Sequence, residues 1–210
     1  MERKIVYFEK NAKENTEVTL SIAKARAEEL GIKTILLAST WGKTAVRAVE
    51  VFDGMKVIAV THQTGFRTTN VQEFPEELRK KVESKGGRVL TMTDAFAGGV
   101  SRAMRKKFNM TLLPEIIAST LRIFGQGMKV VGEITVMAAD AGAVRTDEDI
   151  IVIAGTGRGA DTAVVLTPVN SSDFFDLRIK EILCKPYQSA VAPAAAAATA
   201  STSAPANPPH

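Results

Sequence analysis

The chain has few of the residues from which many sites are built. Its 210 residues include a single cysteine, Cys184. That excludes an internal disulfide and any zinc or iron–sulfur site made of several thiolates, and it agrees with a reducing, cytoplasmic setting. Histidine is nearly as scarce. Of the 2 present, His210 is the last residue, so His62 is the one imidazole placed for acid–base or metal chemistry. A His-rich metal centre is excluded, no metal is expected, and a Ser-His-Asp triad would have only one centre. No apolar run approaches the roughly 18 residues that cross a bilayer. Met1-Glu2-Arg3-Lys4 leads into a short strand rather than the apolar core of a signal segment. The expectation is a soluble, cytoplasmic protein without membrane contact.

Charge is absent from the end of the chain. No Lys, Arg, Asp or Glu follows Lys185, and Tyr187 to His210 reads YQSAVAPAAAAATASTSAPANPPH. Such a segment has too little large apolar surface to offset its ordering entropy, and 187–210 reads as a disordered Ala/Pro-rich tail. Residues 1–186 are then one domain of ordinary size, and function belongs there. The net charge of +4 raises the question of nucleic acid, but basic and acidic residues are interleaved. The one dense cluster, Arg102-Arg105-Lys106-Lys107, falls in a helical pattern. Without aromatic interleaving, a solvated helix face is favoured over a phosphate-backbone patch.

What the chain does have is alternation. Ile5 to Phe8 reads as a strand, followed by a helix opening at Asn15-Thr16, whose apolar positions Val18, Ile22, Ala25 and Leu30 share a face before Gly31. Thr34 to Ala38 is a continuous apolar run of the kind buried on both sides of a parallel sheet. A helix over Thr44 to Phe52 and a strand over Val57 to Val60 follow. Pro75 to Glu83 and Arg88 to Met92 repeat the helix and strand. Pro114 to Phe124 and Lys129 to Ala141 carry helical spacing, although Val130 to Met137 is β-branched enough to read as a strand. Ile150 to Ala154 and Ala163 to Leu166 read as strands, and Phe174 to Leu183 as a closing helix. The fold class expected is α/β: a three-layer α/β/α domain with a mostly parallel sheet and an antiparallel edge strand.

In such sheets ligands bind where strand ends enter helices and expose backbone N–H groups. Three loops qualify. Ser39-Thr40-Trp41-Gly42-Lys43-Thr44 offers hydroxyls, a glycine that admits close approach and a lysine at a helix N-terminus, all suited to phosphate. The nucleotide-triphosphate P-loop is rejected because position 37, where that motif needs glycine, is Leu37. Thr61-His62-Gln63-Thr64-Gly65-Phe66 offers polar partners for a ring edge, with Phe66 either stacking on a planar ligand or packing under the loop. Gly155-Thr156-Gly157-Arg158-Gly159-Ala160-Asp161-Thr162 lacks the spacing and the helix of a dinucleotide fingerprint, but it can fold over an anion with Arg158 adding a planar donor fork. Lys43, His62 and Arg158 should share one sheet edge. Asp140 and Asp161 are acids that could serve as bases, with hydrogen bonding at a helix end or in a loop the favoured role.

The segment TILLASTWGKTAVRAVEVFDGMKVIAVT, Thr34 to Thr61, resembles the C-terminal α/β domain of pyruvate kinase, and DIIVIAGTGRGADTAVVLTP is similar to that domain's last glycine-rich turn and strand. KIVYFEK, ENTEVTL, THQTGF, EITVMAADAG and FFDLRIKEI extend the likeness to stand-alone archaeal and bacterial proteins that carry this domain alone. The resemblance implies the pyruvate kinase C-terminal fold and, from the stand-alone proteins, flavin mononucleotide (FMN) as cofactor. It does not imply pyruvate kinase activity, whose chemistry resides in a separate barrel. The expectation is a domain binding a phosphorylated small molecule, FMN, through Ser39 to Thr44, His62 to Phe66 and Thr156 to Thr162. A flavin-dependent oxidoreductase is the enzyme this could form. The alternative is a non-catalytic sensor of a sugar phosphate or nucleotide that signals to a partner or through a homo-oligomer.

Overall fold

The computed structural model describes residues 2–10 and 13–187. Of the tail expected over 187–210, all but Tyr187 lies outside those residues. In chain order the elements are β1 (Val6–Phe8), α1 (Asn15–Leu30), β2 (Thr34–Ala38), α2 (Lys43–Val51), β3 (Lys56–Thr61), α3 (Glu76–Ser84), β4 (Arg88–Thr91), α4 (Gly99–Phe108), α5 (Leu113–Arg122), α6 (Gln126–Asp140), β5 (Ile150–Ala154), β6 (Thr162–Thr167), a 3-10 turn (Ser171–Asp176) and β7 (Arg178–Pro186). The strands form one sheet of 7 in the order β1-β7-β6-β5-β2-β3-β4.

The domain is the α/β/α sandwich the alternation predicts. On one face α1, α2 and α3 bury Leu20, Ala23, Ala27, Ala48, Phe52 and Val82 against the sheet. On the other, α6 packs through Met128, Val131, Ile134 and Ala138, and α5 with the 3-10 turn covers its outer side through Ala118 and Phe174. Helix α6 is therefore buried nearly all round, as a helix enclosed between two layers must be. Among the described residues no helix is long and apolar enough to cross a membrane.

Three expectations are corrected. The reversed strand, β6, is not at the edge: it lies between β5 and β7 and runs antiparallel to both. The short glycine loop after β5 can return the chain only as a hairpin, and β7 with β1 then extends the sheet beyond it. The helix expected over Phe174 to Leu183 is a 3-10 turn followed by β7. Pairing with β6 and β1 on both sides overrides a helical spacing that residues 178–186 share with an alternating strand. Helix α1 buries Thr19, Leu20, Ala23, Arg26 and Ala27, whereas Val18 and Leu30 are exposed. Small alanines, not the larger apolar residues, let this helix lie close on the sheet.

The topology gathers several loops on one edge. β5, β2, β3 and β4 are parallel, so Ala154, Ala38, Thr61 and Thr91 all end on one edge. β3 follows β2 on one side while β5 is added on the other, so the strand order reverses at β2. Such a reversal leaves a crevice outside the carboxyl ends of the strands.

Candidate functional site

The loop after β2 turns from a buried strand into α2. The Ser39 amide donates to Val60 O at 2.9 Å, and the Ser39 hydroxyl accepts from the Ala45 amide at 3.3 Å, tying the loop to β3 and to the first turn of α2. Gly42 has φ 80°, and a Cβ there would come within 2.9 Å of Leu78 Cδ1 and 3.0 Å of Phe74 Cε1, so glycine is required both for conformation and for the approach of α3. Among the described residues, the amides of Trp41, Gly42, Lys43 and Thr44 have no hydrogen-bond acceptor. These unpaired amides lie at the positive end of the α2 dipole, beside the exposed Lys43.

The loop after β3 is braced through His62. Its Nδ1 lies 2.9 Å from Glu73 Oε2, and its Nε2 is 3.5 Å from Thr40 Oγ1 on the neighbouring loop. Glu73 is buried and also receives Arg67. Gln72 clamps the loop, donating to His62 O at 3.1 Å and accepting from the Phe74 amide at 3.0 Å. Phe66 lies against the His62 ring, with centroids 4.1 Å apart, and under the Arg102 guanidinium, 4.4 Å from its centre. It packs within the loop. Trp41, 46% exposed with Arg67 5.2 Å from its ring, is the open aromatic on this edge. Thr64 and Gly65 are exposed.

The loop after β5 is closed by Asp161. Its carboxylate accepts from the Thr156 amide at 3.0 Å and from the Thr162 hydroxyl at 2.8 Å, while its own amide returns to Ala154 O. Burial pushes the Asp161 carboxyl upward, and these donors oppose that shift. Ala160 is committed to α1, its amide donating to Thr16 Oγ1 and its carbonyl accepting from Thr19. Gly157 and Arg158 are exposed at the tip, and Gly159, with φ 78°, lies against Thr16 and Lys13. The three loops thus share one edge. Thr156, Ala160, Asp161 and Thr162 hold the loop itself, and Gly157 and Arg158 are left at its exposed tip.

A fourth group on this edge was not foreseen. The segment after β4 brings Asp94 to the site and donates the Phe96 and Ala97 amides to Glu133 Oε1, at 3.0 and 3.4 Å. Glu133 and Lys129 form an ion pair in the first half of α6, both side chains buried. Burial, reinforced by Glu133, raises the Asp94 carboxyl above its ordinary value. Burial lowers the His62 imidazole, aided by Arg67 and Lys129 and opposed by Asp94 and Glu133. Of the four buried side-chain atoms without a partner among the described residues, Gln63 Oε1 and Thr156 Oγ1 lie on this edge. The Lys129–Glu133 pair had a signal: opposite charges four residues apart on the apolar face of a buried helix. Glu73 and Asp94 had none, because loop contacts alone bring them to His62.

Two other candidates lie elsewhere. Asp140, at the far end of α6, accepts from Asn170 and the Ser171 amide, which hold its carboxyl low. In the basic cluster Arg102 donates to Phe66 O and Arg105 pairs with Glu115, so half of it is engaged within the domain.

Among solved structures, a pyruvate kinase from Cryptosporidium parvum matches at 13% identity and TM-score 0.38, over 73% of this chain and 23% of that one. Cryptosporidium parvum pyruvate kinase in complex with ADP matches at 11% identity and TM-score 0.36, over 81% and 24%. The chain spans about a quarter of the length of these enzymes. Residues 17–166 match the pyruvate kinase alpha/beta domain family, and the chain belongs to that family.

Proposed function

We propose that the domain binds a phosphorylated planar ligand, FMN, outside the carboxyl ends of β2, β3 and β5. The observation that carries the reading is the row of amides from Trp41 to Thr44 without acceptors at the start of α2, next to Lys43. These groups, with the hydroxyls of Thr40 and Thr44, suit a phosphate dianion. The ring system is then flanked by the His62–Phe66 loop and by Thr156–Arg158. Trp41, 46% exposed beside Arg67, offers an aromatic surface on the same edge. FMN, when bound, would supply one- or two-electron chemistry to a second substrate.

Membership of the pyruvate kinase alpha/beta domain family and the hydroxyl-rich first loop favour a second reading, a non-catalytic sensor of a sugar phosphate. Purified protein tests the two. FMN is expected to co-purify, or to bind on addition and turn the protein yellow, with affinity reduced at least about tenfold by Lys43→Ala with Thr44→Ala, since hydrogen bonds to charged groups contribute about 1.5–3 kcal/mol each. A protein that binds fructose 1,6-bisphosphate but not FMN favours the sensor.

A further inference from the structure

The edge carries an acid–base arrangement that ligand binding does not require. Glu73, buried, faces His62 Nδ1 at 2.9 Å and is itself fixed by Arg67. A carboxylate there accepts Nδ1–H, which leaves Nε2 without a proton in the neutral ring. Among the described residues the only hydrogen-bond contact of Nε2 is the Thr40 hydroxyl, at 3.5 Å, too long for a strong hydrogen bond. Nε2 therefore keeps an available lone pair, turned toward the loop that starts α2.

We propose that His62 is the proton-transfer residue of this site and Glu73 its positioning residue, acting on a hydroxyl or acidified C–H group of a substrate bound beside the phosphorylated ligand. The place of that substrate rests on the reading above. In the step, the substrate O–H or C–H bond breaks, its electron pair stays on the substrate atom, and the proton passes to Nε2. Glu73 stabilises the resulting imidazolium, which returns the proton to water through the 29% of the side chain left exposed. The charged groups around the ring are Glu73 and Arg67 from its own loop, Asp94 from the segment after β4, and Glu133 and Lys129 from α6. Burial keeps the ring neutral at pH 7, the form a base requires.

Glu73→Gln separates this role from packing. Arg67 will keep the amide oxygen, so the amide NH2 turns to Nδ1 and forces the opposite, Nε2–H tautomer while preserving shape. Nitrogen-15 NMR of the ligand-free protein, with His62 assigned by His62→Gln, is expected to show Nδ1–H and a bare Nε2 at pH 7, reversed in Glu73→Gln. Diethyl pyrocarbonate, which acylates a bare imidazole nitrogen, is expected to modify His62 in the native protein and to do so more slowly in Glu73→Gln, where Nε2 carries the proton and Nδ1 is held by the amide. FMN is expected to protect His62. An Nε2–H tautomer in the native protein, an unreactive His62, or a Glu73→Gln variant with native tautomer and rate overturns the proposal. So does bound FMN, verified by separate titration, that leaves the modification rate unchanged. If FMN does not bind at all, the ligand reading fails, while the tautomer and reactivity of the ligand-free protein still decide the dyad.

Discussion

At the scale of single residues, the edge of the sheet holds two titratable groups whose environments act in opposite directions. His62 is lowered by burial from its ordinary 6.5. In the pH window below about 6.5 the unfolded chain therefore binds more protons than the folded one, so stability is fully present above that window and lost as pH falls through it. Asp94 is raised from 3.8, so just above that value the folded chain holds a proton the unfolded chain has released, and stability falls as pH rises through its window. Urea unfolding at pH 7 and pH 5.5 is expected to show a loss on acidification that His62→Gln reduces; an unchanged pH slope in the variant contradicts the assignment. Asp161 is the residue on which the β5 loop closes. Asp161→Ala leaves the Thr156 amide and the Thr162 hydroxyl without their acceptor and is expected to cost about 2–3 kcal/mol in the same measurement. Cys184, by contrast, is buried with its thiol pushed up to about 12, which makes it an inert core residue.

At the scale of elements, α6 carries the strongest test. Lys129 and Glu133 pair in an otherwise apolar interior, and Glu133 also fixes the segment that presents Asp94. Lys129→Met removes the cation paired with a buried carboxylate and is expected to destabilise by about 3–5 kcal/mol in urea unfolding. A single variant of native stability would show that the pair is not desolvated. The elements also show what could be read from the sequence. β2, β3 and β5 announce themselves as continuous apolar runs because burial on both faces leaves their interiors without polar residues. β7 does not, because its Ile179, Glu181 and Ile182 fit a helix as well as a strand until β6 and β1 supply partners. The face of α1 is misread for a related reason: its close packing on the sheet selects Ala23 and Ala27, which carry almost no hydrophobic signal. For the site, the loops after β2, β3 and β5 are legible because glycines and hydroxyls at strand ends have few other uses. Glu73, Asp94 and the α6 pair are not, since their neighbours are set by the path of the chain rather than by spacing.

At the scale of the whole molecule, one topological fact organises the account. Four parallel strands end on one edge and their order reverses at β2, so four loops from distant parts of the sequence meet there. The sheet supplies rigidity, the start of α2 supplies unpaired amides, and α6 supplies buried charge behind them. Membership of the pyruvate kinase alpha/beta domain family fits this division between a conventional scaffold and a loop-built site. The start of α2 is the proposed seat of the FMN phosphate. Fluorescence titration of ligand-free protein with FMN and with riboflavin, which lacks the phosphate, tests it most directly. Saturable quenching by FMN is expected, with riboflavin binding weaker by more than about tenfold, as the loss of one or more charge-assisted hydrogen bonds requires. Absence of FMN binding, or equal affinity for the two flavins, would contradict it.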